Sequence, residues 1–189
     1  MLYQLRTKNT GHGSPLYYFY MNENEYPDIV GNKISNENIT LFLKGFFKNK
    51  NAINIIKNKD FKRADLVYFP KPNMYGVSQK FKDVFENRIK AEFFKTTIDG
   101  YYLMVVNNVV DCVDKENTQI TYIYPNRRCA YKRPAIIAFD EDIVENELLF
   151  SIPEEPLKTF CTEKFMKMCE DYKITNVLKN LSNYVKNMK

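Results

Sequence analysis

Nucleophilic catalysis needs a base beside its nucleophile, and this chain has a single histidine, His12, to serve as one. His12 stands in the Gly11–Pro15 stretch near the N-terminus, so a Cys–His enzyme or a histidine metal site would have to be built on that turn. The four cysteines, Cys112, Cys129, Cys161 and Cys169, are 17, 32 and 8 positions apart and form no Cys-x-x-Cys pair. That spacing suits buried free thiols rather than a zinc ligand set. Asp111 and Asp114, with Asp99 or Glu116, are oxygen ligands of the type a hard cation takes. Carboxylates three apart at the end of an apolar run cap a turn more naturally. With only six glycines, the sequence holds no phosphate-cradling loop and no nucleophile elbow. These residues argue against an enzyme and imply neither cofactor nor metal.

The other chemically distinctive residues form one cluster. Tyr122, Tyr124, Arg127, Arg128, Tyr131, Lys132 and Arg133 put four cations and three tyrosines into twelve residues with no acidic residue among them. Arg and Tyr offer large contact area together with hydrogen bonding, the chemistry of protein-binding hot spots. The same types could contact phosphates and stack on bases, which keeps a nucleic-acid-binding module open as the alternative. A solvated loop without a partner is the bland reading. The net charge of +5 does not decide between them, because its lysines are scattered among asparagines rather than gathered on one face.

The elements that would position these residues centre on Ala91–Asp114. Phe93–Ile98 reads as a strand, Asp99-Gly100 as a two-residue hairpin loop needing positive φ, and Tyr101–Val106 as the returning strand. That second strand is apolar on both faces, so it belongs inside a sheet covered above and below. Gln119–Tyr124 and Ala135–Phe139 are strand-like and flank the basic segment, which should project as an exposed loop. Leu2–Thr7 and Leu16–Met21 read as an opening pair of strands. Between 22 and 62 the pattern degrades, with Phe42, Phe46 and Phe47, together with Ile39 or Leu43, fitting one helical face better than a strand. Val177, Leu181, Tyr184 and Met188 predict a C-terminal amphipathic helix.

Two segments share an order of features. Asp65–Pro70 and Leu148–Pro153 are short apolar strands stopped by proline. Each is followed by a capping residue and Lys-Phe: Ser78-Gln79-Lys80-Phe81 and Thr162-Glu163-Lys164-Phe165. Phe81, Val84, Phe85 and Ile89 then match Phe165, Met168, Cys169 and Tyr172 as apolar stripes. The expected fold is α+β: a mainly antiparallel sheet with helices Ser78–Arg88 and Glu163–Tyr172 packed on it, in two related strand–helix–strand lobes unless the recurrence is chance. The division is N-terminal strands and an irregular region over 1–62 and an α+β domain over 63–189, or one continuous domain. A chain of 189 residues buries about 70% of its unfolded surface on folding. No apolar run approaches the ~20 residues of a membrane span, and the N-terminus lacks a secretory pattern, so a cytoplasmic protein without a membrane partner is expected.

The wording of several stretches resembles a family. Gly100-Tyr101-Tyr102-Leu103 followed by Val110-Asp111-Cys112-Val113-Asp114, the Val77-Ser78-Gln79-Lys80-Phe81 helix start, and Leu148–Phe150 with Thr162–Phe165 are similar to bacterial polymorphic-toxin immunity proteins. The likeness is to immunity protein family eleven, formerly a domain of unknown function, over about residues 61 to 178. Ser151 stands where that family commonly has Arg, Asn176 replaces its usual Gly, and tryptophan is absent. Asn tolerates the left-handed conformation, so the turn after Ile174-Thr175 should survive. The resemblance implies a protein that binds and neutralises a cognate toxin by stoichiometric contact and needs no catalytic residue.

Overall fold

The computed structural model describes residues 2–7, 19–21, 52–57, 61–69, 71, 73–123, 131–180 and 185–186, with the backbone alone at 19–21, 120–123, 131–136, 157, 179–180 and 185–186. In chain order the elements are β1 (Leu2–Thr7), β2 (Phe19–Met21), β3 (Ile55–Lys57), β4 (Leu66–Tyr68), β5 (Met74–Ser78), α1 (Gln79–Phe85), β6 (Ala91–Lys95) and β7 (Tyr101–Val106). They continue as β8 (Gln119–Ile123), β9 (Tyr131–Ala138), α2 (Glu141–Val144), β10 (Leu149–Ile152), β11 (Glu155–Thr162), α3 (Glu163–Asp171), β12 (Val177–Asn180) and β13 (Val185–Lys186). The class is α+β and mainly antiparallel, as expected. The described strands form two four-stranded sheets, β4-β5-β7-β6 and β10-β11-β1-β12, with smaller sheets β13-β9-β8 and β2-β3.

The two four-stranded sheets are copies. In the first, the hairpin β4–β5 ends at Ser78, whose side chain accepts a bond from Phe81 N at 3.1 Å and so starts α1. In the second, β10–β11 ends at Thr162, whose side chain accepts from Phe165 N at 3.4 Å and starts α3. The cap residue's own N–H donates to the residue before the hairpin in both: Ser78 to the Asp65 carbonyl at 3.0 Å, Thr162 to the Leu148 carbonyl at 3.1 Å. Registers agree as well. Leu66 faces Val77 as Leu149 faces Cys161, and Ser78 faces Tyr101 as Thr162 faces Leu2. Ala91 faces Val106 as Val177 faces Thr7. Thus β1 stands in the second sheet where β7 stands in the first, and the second copy is circularly permuted.

One core unites the copies. Phe81, Phe85 and Phe165 expose no surface and sit with Leu66, Val77, Met104, Leu149, Cys161, Tyr3 and Leu5, so α1 and α3 enter one core that both sheets share. Ring centroids are 4.6 Å apart for Phe81–Phe85 and 4.9 Å for Phe85–Phe165. The outer face of the first sheet is covered by Ile53, Ile55 and Phe61, and that of the second by Cys112, Ile137, Phe139 and Val144. Polar bonds lace the lobes together. Asn176 Nδ2 donates to the Leu66 carbonyl at 2.7 Å, and Asn108 Nδ2 to the Leu149 carbonyl at 3.0 Å.

β7 lies between β5 and β6 with five of six residues buried, the central strand its composition predicts. The hairpin before it is wider than a two-residue loop. β6 stops at Lys95, Thr96 Oγ1 bonds the carbonyls of Ile98 and Tyr101, and Gly100 takes φ +73, a conformation that strains other residues. Asn176 has φ 67, so Asn does take the turn where the family's Gly is usual.

Three expectations are corrected. β1 and β2 are not an opening pair: β1 joins β11 and β12, while β2 pairs with β3. The C-terminal helix is absent at Val177–Asn180, which form β12, and Val185–Lys186 form β13. Pairing to β1 satisfies that backbone and overrides a helical period of apolar residues. Tyr172, expected on the buried stripe, is 43% exposed at the C-terminal cap of α3, and Met166 takes the buried place instead. The helix expected near Ile39–Phe47 falls outside the described residues.

Candidate partner-binding surface

Among the described residues, three cysteines and Asp114 are tied up in structure. Cys112, Cys161 and Cys169 are buried and unbridged. Burial pushes the Cys112 thiol up to about 12, helped by the nearby Glu154, Asp111 and Asp140 carboxylates, and pushes Cys169 up to about 12. The Cys161 thiol is also raised well above its ordinary value, again first by burial. At neutral pH such thiols stay protonated and are poor nucleophiles. Asp114 caps a turn, accepting from Asn117 Nδ2 at 2.6 Å, Asn117 N at 3.1 Å and Glu116 N at 3.0 Å. Those bonds hold its carboxyl below the usual range. Asp111 is exposed beside it. Among the described residues no group of three or more His, Cys, Asp or Glu side chains is arranged to hold a metal ion. His12 and Cys129 lie outside the described residues.

The basic aromatic cluster is not wholly the projecting loop expected of it: it falls at the end of one antiparallel pair, and pairing with β8 draws Tyr131–Pro134 into strand β9. Tyr122 lies on β8, and Tyr131, Lys132 and Arg133 lie on β9. Tyr122 is the register partner of Lys132, Thr121 that of Arg133, and Ile123 that of Tyr131. Tyr124, Arg127 and Arg128 belong to the connection 124–130, outside the described residues. Because Ile123 and Tyr131 are paired, that connection starts and ends at one end of the β8–β9 hairpin. β9 also pairs in parallel with β13 through Ile137 and Ala138, and Ile137 enters the core beneath the second sheet. The hairpin is therefore anchored at the end remote from the connection.

Two surface features lacked a sequence signal. Arg88 and Tyr172 meet at the ends of the two helices, with the guanidinium carbon 5.6 Å from the ring centroid and Nη1 donating to the Tyr172 hydroxyl at 3.4 Å. They lie 84 positions apart, which no periodicity reveals. An open cleft of about 320 Å³ lies beside α2, where Glu141, Asp142, Glu145 and Glu163 outnumber Lys164. The acidic run at 140–142 was visible in the sequence, but its meeting with the first turn of α3 was not.

Residues 59–181, well over half the chain, match the model of the Immunity protein family (Imm11). The chain belongs to the Imm11 immunity protein family. Membership of an immunity family implies a toxin-neutralising role and a toxin as the partner. No curated protein matches the chain. The Imm11 match takes in both helices, both capping residues and all of the β8–β9 hairpin, and it leaves out β1. No helix among the described residues is long and apolar enough to cross a membrane.

Proposed function

We propose that this Imm11 protein neutralises a toxin made by the same bacterium through stoichiometric binding in the cytoplasm, without turnover of its own. Such a mechanism needs no reacting groups. A preformed surface covers the toxin's active site or substrate entrance, and a few Arg and aromatic anchors supply most of the affinity. The family match carries the reading, and the protonated, buried thiols of Cys112, Cys161 and Cys169 agree with it. The contact surface we propose is Tyr122, Tyr124, Arg127, Arg128, Tyr131, Lys132 and Arg133, in the connection 124–130 and the strand ends that it joins. Membership of an immunity family favours a protein over nucleic acid as its occupant, and the four cations call for an acidic face on that protein.

Replacing Arg127, Arg128 and Arg133 together with Glu tests the surface. Charge reversal at the contact should abolish protection while the circular dichroism and thermal midpoint stay those of the parent. Undiminished toxin affinity of the folded triple variant in titration calorimetry at moderate salt would remove this segment from the interface.

A further inference from the structure

The permuted second sheet shows what holds its central strand. In the first sheet the central strand β7 follows β6 directly, through the turn at 97–100. In the second, the equivalent strand β1 comes from the other end of the chain, far in sequence from both neighbours, β11 and β12. The two are nonetheless set alike. Tyr102, next to the residue that faces the Ser78 cap, donates its hydroxyl to Gln79 Oε1 at 2.6 Å, Gln79 being the first residue of α1. Tyr3, next to the residue that faces the Thr162 cap, donates its hydroxyl to Glu163, the first residue of α3. Both strands place residues in the shared core: Met104 and Val106 from β7, Tyr3 and Leu5 from β1. Leu2 reaches the opposite face and the cluster of Phe150 and Phe160. The same register and contacts arise from opposite chain connections, so packing and pairing, not continuity, set the strand.

We propose that the slot between β11 and β12 is a strand-binding site, filled here by residues 2–7, that takes its ligand without a covalent connection. The ligand class is an extended segment that pairs antiparallel on both sides and carries apolar side chains to both faces. Pairing runs from Leu2–Gln4 along β11 and from Gln4–Thr7 along β12. Each of its residues therefore has a strand partner on at least one side, and Tyr3, Leu5 and Thr7 are buried on the inner face. A loss of the connection removes none of these contacts and costs only effective concentration.

The test uses the full-length chain with a site-specific protease sequence inserted after Asn9, cut after folding. The expected result is that residues 1–9 and the remainder co-elute, with a thermal midpoint that falls on dilution because the complex is now bimolecular. A fluorescent peptide of residues 1–9 should then exchange into the slot, and its L5D form at least about tenfold less well, since it would bury an unpaired charge. Separation of the pieces overturns the proposal, whether the remainder stays folded, and so does not need the strand, or unfolds. Equal entry of the L5D peptide overturns the specificity of the site. A circular permutant guards against failure of the insertion. Residues 2–8 are moved to follow Ser182 through a copy of the Thr-Ile-Asp-Gly turn, with 183–189 attached by a flexible linker. It should fold with the parental spectrum and a midpoint independent of dilution, and an unfolded permutant would contradict the claim that connection is immaterial.

Discussion

Phe81 and Phe165 are each the third residue of a helix, each follows its capping residue by three positions, neither exposes any surface, and their ring centroids lie 6.4 Å apart. Phe85 stands between them, 4.9 Å from Phe165. The lobes therefore meet through equivalent residues. Phe81→Ala and Phe165→Ala should each cost ~3–5 kcal/mol, the range for truncating a fully buried phenylalanine. Because the two cavities adjoin, the double variant should depart from additivity by ~0.5–3 kcal/mol. Urea denaturation followed by circular dichroism checks this, and strict additivity would mean that the helices do not share a core.

Asp65 links the lobes by charge. It accepts Ser78 Oγ at 2.6 Å, Thr175 N at 2.9 Å and Thr175 Oγ1 at 3.0 Å, with Lys80 Nζ 3.7 Å away. Burial of the carboxyl acts to raise its pKa, but the bonds from Ser78 and Thr175, with Lys80, outweigh it and leave the pKa below its ordinary value of 3.8. A lowered folded pKa gives stability that is present above the unfolded value and lost as pH falls through the folded one. Asp65→Asn should therefore be less stable than the parent at neutral pH, and the gap should narrow in acid below about pH 4. Urea midpoints at neutral and acidic pH read the difference, and a gap that stays constant would deny the ion its role.

Asn176 does two jobs that its replacements separate. Its φ of 67 favours Gly, whereas its side chain donates to the Leu66 carbonyl across the lobes. Asn176→Gly keeps the turn and loses the bond, for a cost of ~1 kcal/mol. Asn176→Ala loses the bond and strains the backbone as well, adding roughly another 1 kcal/mol. The order parent, Gly, Ala in denaturation midpoint is the expected outcome; a Gly variant more stable than the parent would show that the bond contributes nothing.

The same local strength explains what was legible in the sequence. Ser78 and Thr162 each announce a helix because capping is a contact within four residues, and YYLMVV announces a central strand because both its faces are apolar. β5 and β11 carry no strand signal of their own. Met74–Ser78 contains Gly76 and follows a Pro-rich stretch, and Glu155–Thr162 opens on Glu-Pro, so neither shows clean alternation. Their strand state comes from partners, β7 and β1, that lie far along the chain. The C-terminal strand β12 has the same origin. Val177–Asn180 carry a helical period but sit against β1, and no local pattern tells of a strand 170 residues earlier. The basic segment was legible as composition, because charge and residue type need no partner to be seen.

The cysteines give a chemical check on burial. Cys112, Cys161 and Cys169 are at most 3% exposed, and burial lifts their thiols far above neutrality. Iodoacetamide at about pH 8 should leave these three unmodified in the native protein and label all of them in denaturant, since only an accessible thiolate reacts. Peptide mass mapping reads each site separately, and rapid native labelling of Cys161 would contradict a shared core between the lobes.

Binding without turnover has a quantitative signature in toxin inhibition. If each molecule covers one toxin, residual toxin activity should fall linearly with added protein and reach its floor near equimolar amounts, provided both are well above the dissociation constant. An enzyme acting on the toxin, or on a toxin product, would instead protect at a small fraction of the toxin's concentration and progressively with time. Charge complementarity adds a second expectation, because cations at the end of the β8–β9 hairpin would steer an acidic surface and salt would screen them. Raising the ionic strength should slow association more than it speeds dissociation, and the Arg127, Arg128 and Arg133 to Glu variant should lose this dependence along with the break in the titration. Protection by the parent at clearly substoichiometric amounts would remove the stoichiometric mechanism, whatever surface the toxin touches.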